Sequence, residues 1–235
     1  MSEPLYIALV AEGPTDRIVI ESVIKAVLND RTFVLKLLQP EDSLSFGALG
    51  GGWSGVYHWC KQSAKRGSGL ISKDFFFDYY DILILHLDAD VASKKYVNGN
   101  ITQEASDLSL PCEADCPPPC ATTDALRQVL LSWCGETVTP GKVVICTPSK
   151  SIEAWVVKAL FPGDMAVRQG IECYRDPESR LGQQNKNVRI KKCQSDYQRK
   201  AEDIMNAWPR IRTLSEAARF AGELLAKVQT TGSTE

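Results

Sequence analysis

No apolar run in this chain approaches the roughly 18 residues that a membrane-spanning helix requires. The N-terminus has no basic stretch ahead of a signal-type apolar core; Glu3 and Pro4 lead straight into a strand-like run, so a cytoplasmic protein with no membrane role is the expectation. Histidine is scarce, with His58 and His86 the two in the sequence. No Cys-His or Ser-His-Asp arrangement is visible. The G-x-x-x-x-G-K-[ST] phosphate loop is missing too, which argues against the chain being an ATPase. Charge of one sign is lacking: 27 Lys and Arg against 29 Asp and Glu leave a net charge of −2. Any surface for a polyanion must therefore be local. There is no internal repeat.

What is present is ordinary in amount. An apolar fraction of 44% over 235 residues can bury a sizeable core without covalent staples. In a reducing compartment the eight cysteines are expected as thiols or metal ligands rather than disulfides.

The order of elements carries more information. Residues 5–11 read as a strand apolar on both faces, as parallel strands between helices are. Gly13-Pro14 then starts a helix whose apolar stripe, from Ile18 to Val27, ends near Leu28. Phe33–Leu38 is a second strand, stopped by Pro40, and residues 81–88 a third. Helices are expected over Val56–Lys65 and Thr123–Trp133, a fourth strand over Val143–Cys146, and a helix from Thr147-Pro148 to Leu160. This alternation predicts an α/β domain over residues 1–160, a parallel sheet flanked by helices with a polar, proline-rich insertion at 91–120. Residues 161–235 read as a helical, partly basic C-terminal appendage, with helices near 194–206 and 213–228.

Two strands end in acids. The first delivers Glu12-Gly13-x-x-Asp16 into a helix, and the third delivers Asp88-x-Asp90 into a loop. In a parallel sheet the carboxyl ends of neighbouring strands open on one crevice. Carboxylates converging there repel one another unless divalent cations neutralise them. Asp88 and Asp90, two apart, project to one side; they suit a shared hard cation, or else merely start the next loop. Asp16 also has a plain reading, an acid stabilising the first turn of a helix. Glu153, in Ser151-Ile152-Glu153, shares a helix face with Val156, Val157 and Leu160, which puts a carboxylate on the buried side. A metal or a structural salt bridge would satisfy it.

Glu-Gly-x-x-Asp after strand one, Asp-x-Asp after strand three and the later Ser-x-Glu together resemble the Toprim domain, the metal-binding module of topoisomerases, primases and several nucleases. The Ser151–Glu153 pair is similar to the extra acid of the Toprim nucleases of the overcoming-lysogenisation-defect (OLD) family and of small phage-defence Toprim proteins. The resemblance covers residues 5–160. It implies a Toprim-like fold and Mg²⁺- or Mn²⁺-dependent cleavage of DNA or RNA. Glu12, Asp88 and Asp90 would carry the chemistry, Asp16 and Glu153 would complete a two-ion site, and Lys150 would stabilise the transition state. It also implies an anti-phage effector working with a separate ATPase subunit. The alternatives are a non-catalytic binding module on the same fold and a metal-dependent phosphatase or phosphotransferase that uses one aspartate as a nucleophile.

Between Lys186 and Lys200 six basic residues face one acid, Asp196. Lys186, Arg189, Lys191 and Lys192, with Lys94 and Lys95 beside the acidic pair, form either a phosphate-backbone track or a solvated face. The glycine-rich segment 41–55 around Trp53 is either a lid or a plain connection. Cys112, Cys116 and Cys120, spaced by four, could hold a structural Zn²⁺ or remain surface thiols. Cys60, Cys146 and Cys173 read as small hydrophobes, and His86 lies on the Asp88 side of its strand.

Overall fold

The structure, a computed structural model, describes residues 3–40 and 50–231. Strands β1 (Leu5–Val10), β2 (Phe33–Gln39), β3 (Ile82–His86) and β4 (Val143–Cys146) form one all-parallel sheet in the order β2-β1-β3-β4. The fold is thus α/β, as the alternation of elements implied. Helix α1 (Pro14–Leu28) connects β1 to β2, and α2 (Gly52–Arg66) precedes β3. Next come α3 (Cys120–Trp133), α4 (Glu153–Leu160), the short α5 (Met165–Arg168) and α6 (Pro177–Gly182), α7 (Gln194–Asn206), a single turn α8 (Trp208–Ile211), and α9 (Ser215–Thr231).

Alternating side chains of each strand feed two cores. Leu5, Ile7 and Leu9 of β1, Ile82 and Ile84 of β3, and Val144 and Cys146 of β4 pack under α1 and α4. The same core takes in Ile171, Leu181, Ile190, Tyr197, Ile204, Ile211, Phe220 and Leu224. Residues 161–231 therefore form one of the layers that bury the sheet. On the other face Ala8, Val10, Leu83, Leu85, Val143 and Ile145 pack under α2, α3 and the insertion, from which Val91, Tyr96, Ile101 and Leu110 are buried. The insertion is ordered and pinned: Asp107 accepts from the Tyr57 hydroxyl at 2.9 Å and from Lys61 at 2.9 Å.

Several expectations shift. α4 starts at Glu153 rather than at Thr147-Pro148, because residues 147–152 are drawn into backbone bonds with the loop after β3. α2 begins at Gly52, so Trp53 is helical and stacks on Trp133 with centroids 6.3 Å apart. The lid reading of segment 41–55 falls largely on residues 41–49, outside the described residues. The expectation of thiols or a zinc knuckle is corrected: Cys116 is joined by a disulfide to Cys173, 57 residues away. That sulfur is no longer a thiolate, which leaves Cys112 and Cys120 as thiols without the third ligand of the set. Cys173 is accordingly no mere packing residue.

Candidate functional site

The sheet's carboxyl end is assembled by backbone bonds that continue the strand pairing into the loops. Ala11 N–H donates to Gln39 O at 2.8 Å, and Leu87 N–H to Cys146 O at 3.1 Å. Ala89 N–H donates to Pro148 O (3.1 Å) and Asp90 N–H to Lys150 O (2.8 Å). The Asp-x-Asp and Ser-x-Glu segments are thereby zipped side by side. Lys150 takes a left-handed conformation there, with φ of 62°.

Glu12 and Asp88 are each held through one oxygen by a backbone N–H. Glu12 Oε1 accepts the Asp88 N–H at 2.8 Å, which couples the first motif to the second. Asp88 Oδ1 accepts the Ile152 N–H at 2.8 Å, which couples the second to the third. Asp16 Oδ2 accepts the Gly13 N–H at 2.7 Å. This is the reciprocal half of a capping box, glycine having no side chain, and it gives Asp16 a structural task at the start of α1. Glu153 is fully buried: Oε1 accepts from the Tyr197 hydroxyl at 3.1 Å and lies 3.2 Å from Lys192 Nζ. Its Oε2 is buried with no hydrogen-bond partner. Asp90 is the exposed member, with Lys94 Nζ 3.4 Å away.

His86 is buried between two of these acids. Its Nε2 is 3.3 Å from Asp88 Oδ1 and its Nδ1 3.8 Å from Asp16 Oδ2, and neither contact has hydrogen-bond geometry. The electrostatics follow from crowding. Burial, then the charge of Asp88, pushes the Glu12 carboxyl well above the usual carboxylate range. Burial, then the charges of Glu153 and Asp16, does the same to Asp88. Asp16 and Asp90 are raised as well, both chiefly by burial.

Glu12, Asp88 and Asp90 open onto a cleft of about 190 Å³, while Asp16 and Glu153 are absent from its lining and sit behind it. Lys150, Arg175 and Lys192 supply the cleft's cations, and Asp176 and Glu178 further acids. Lys150 is paired with Glu113 at 2.7 Å, and Lys192 bridges Glu153 and Glu178, the latter at 2.9 Å. Burial works against the Lys192 ammonium, but those two carboxylates outweigh it and raise its pKa above the ordinary lysine value. Lys192 thus belongs to the acid cluster. Lys186, Arg189 and Lys191 are exposed, and Lys95 is an exposed residue beside Lys94.

Sequence reasoning missed Tyr197 as a partner of Glu153, and it missed Arg175, Asp176 and Glu178. A signal for Tyr197 existed: it and Ile204 are the buried residues of an otherwise polar α7, seven apart on one face. The approach of 174–178 to the cleft leaves no local signature. Among the described residues, no three His, Cys, Asp or Glu side chains already stand together as a ligand cluster, and no helix is long and apolar enough to cross a membrane. No protein-family model, curated protein or solved structure matches this chain.

Proposed function

We propose that this chain is a divalent-metal-dependent nuclease of the Toprim type, hydrolysing phosphodiester bonds of DNA or RNA. The observation that carries this reading is the coupling of Glu12, Asp88 and the Ser151–Glu153 segment at the carboxyl end of one parallel sheet. Glu12 and Asp88 are each fixed through one oxygen to a backbone N–H, and both face a cleft. A packing role explains such an arrangement poorly, because it leaves the acids pushed toward protonation.

The residues suit Mg²⁺ or Mn²⁺. The donors are carboxylate oxygens, as a hard cation requires, and Glu153 Oε2 is buried with nothing bonded to it. Glu12, Asp88 and Asp90 would hold the cation at the cleft, and Asp16 and Glu153, buried and absent from its lining, are the acids that would complete a two-ion site. When bound, two such ions activate a water and stabilise the leaving oxygen of a phosphodiester. The chain's own groups do the rest. The backbone N–H groups of Asp88 and Ile152 fix the orientation of Glu12 and Asp88. Lys150 meets the substrate phosphate by exchanging its partner Glu113. Lys192 offsets Glu153. Dependence on an ATPase partner and a role in phage defence belong to the same proposal and rest on the motif resemblance alone.

A second reading has its own observation: Asp16 caps a helix and Glu153 is salt-bridged, so two of the acids already have structural work. In that case the domain would bind nucleic acid or protein without cutting. One assay separates the two. Plasmid, linear duplex, single-stranded DNA and RNA are incubated with Mg²⁺ or Mn²⁺ and with wild type, Glu12→Ala or Asp88→Ala. Metal-dependent cleavage lost in both variants is the expected result. A wild-type protein that cuts none of them, with candidate ATPase partners present, refutes the nuclease reading.

A further inference from the structure

We infer that Arg175 is a second substrate-phosphate-binding residue of the cleft beside Lys150, the one that is free before substrate arrives, and that the Cys116–Cys173 disulfide fastens the loop that presents it. The inference rests on the phosphodiester reading above and extends it to a wall of the site that the three acidic motifs do not include.

Of the cleft's three cations, Lys192 is shared between Glu153 and Glu178, and Lys150 must release Glu113 before it can reach a phosphate. Arg175 is exposed, lines the same cleft as Glu12, Asp88 and Asp90, and has no ion-pair or hydrogen-bond partner among the described residues. A polyanion approaching those acids meets repulsion, so an uncommitted guanidinium at the rim is the group that can receive it. Its planar fork matches the geometry of a phosphate.

The loop before Arg175 is tied down at three points. The Glu172 carboxylate accepts the N–H of Ser215 at 2.9 Å, the Ser215 hydroxyl at 2.9 Å and the N–H of Glu216 at 3.1 Å, which anchors it to the start of α9. The Ser149 hydroxyl, from the loop zipped against Asp-x-Asp, donates to Glu172 O. Cys173 is bonded to Cys116 of the insertion. A solvated surface arginine gains nothing from such anchoring two residues away. A residue that must stand at a fixed place opposite reacting groups does, because less freedom is lost when the ligand arrives.

The test uses the full chain carrying Asp88→Asn, so that the probe is bound and not cut. Fluorescein-labelled single-stranded DNA, duplex DNA and RNA of one sequence are titrated in Mg²⁺ by anisotropy, between 50 and 200 mM salt as roughly the range over which phosphate contacts show. Arg175→Ala, Arg175→Lys, the double variant Cys116→Ser/Cys173→Ser and the control Arg168→Ala are compared, each checked for unchanged folding by circular dichroism. On the best-bound probe Arg175→Ala is expected to weaken binding about 5- to 10-fold and to lower the salt slope by about one. Arg175→Lys should keep the slope and recover part of the affinity, the disulfide-free variant should weaken binding about 2- to 5-fold, and Arg168→Ala should match the parent. Unchanged affinity and slope in Arg175→Ala overturn the assignment, and unchanged affinity without the disulfide overturns the fastening. If the parent binds no probe and wild type cuts none, both the phosphodiester reading and this inference fall. If the parent binds and wild type cuts while Arg175→Ala behaves as its parent, this inference alone falls.

Discussion

Stripping divalent cations and raising the pH should destabilise this protein together, and adding Mg²⁺ should undo the loss. Glu12, Asp16, Asp88 and Asp90 all have carboxyls raised above their ordinary values. With the folded pKa above the unfolded one, the native state binds more protons than the unfolded state across the interval between them. Stability therefore falls as pH rises from about 4 upward through the raised values. Glu216 apart, the other shifted carboxylates and Lys192 leave this window alone. Asp164 and Asp196 have lowered pKa values and lose their contribution only in stronger acid, below the ordinary carboxylate value. Lys192 is raised from an already alkaline value. Glu216 shares the sign of the cluster, raised first by burial, but no metal would relieve it.

The cation effect has a magnitude. An ion that binds only the folded state at 100 times its Kd adds about 2.7 kcal/mol. For a chain of 235 residues each kcal/mol moves Tm by roughly 2–4 °C, so about 5–11 °C is expected at pH 8. Differential scanning calorimetry in EDTA and in Mg²⁺, at pH 5.5 and 8, measures it. The metal-free Tm should drop from pH 5.5 to 8, the Mg²⁺ increment should be larger at pH 8, and Asp88→Asn should raise the metal-free Tm at pH 8 while abolishing most of the increment. A metal-free Tm that rises with pH, or an increment that survives Asp88→Asn in full, refutes the reasoning.

Three further substitutions probe the scaffold and should spare the cleft. Arg127 caps the free edge of β4, donating to Ile145 O at 2.8 Å and pairing with Glu223 at 2.5 Å. Its side chain is nearly buried, while Glu223 is partly exposed and keeps Arg219 at 3.4 Å. Arg127→Ala should therefore cost about 2–3 kcal/mol, below the full penalty of breaking a buried pair, and a fall in Tm under about 2 °C would show the cap to be dispensable. Gly135 has φ of 72°, and a Cβ there would stand 1.8 Å from Gly69 O. Gly135→Ala should cost at least about 2 kcal/mol in urea unfolding, whereas Gly51→Ala, with nothing within 4 Å, should stay within about 0.5 kcal/mol; equal effects at the two sites would refute the steric account.

The strands, α1 and the acids that end the strands were legible because each is a local pattern: an unbroken apolar run, a Gly-Pro helix start, a carboxylate where packing has no use for one. The role of residues 161–231 was not. Ile171, Leu181 and Ile190 enter the core from a polar segment, spaced too widely to give a helical or alternating period, so composition alone makes the region look peripheral. The cysteine pairing was hidden for a related reason: Cys116 and Cys173 are brought together by the packing of the insertion against the loop that ends in Arg175, and their spacing carries no trace of it. The basic stretch divided in a way that charge counting does not foresee, since Lys192 alone reaches the buried Glu153.

That pairing bears on how the acidic site is kept in a stable fold. Lys192 offsets Glu153 and Lys94 stands by Asp90, which leaves Glu12, Asp16 and Asp88 without a cation of their own. His86 lies beside Asp16 and Asp88 with neither ring nitrogen hydrogen-bonded. Backbone N–H groups hold these three acids in place, but a neutral donor does not cancel the repulsion between them. A sequence selected for stability alone would replace Asp88 with asparagine, which keeps an oxygen for the Ile152 N–H and sheds the charge. Keeping the aspartate costs the metal-free fold stability, and such local conflict concentrates at functional sites. On the proposed function a divalent ion turns the conflict into binding energy, so the size of the Mg²⁺ increment and its loss in Asp88→Asn measure the same quantity from two sides.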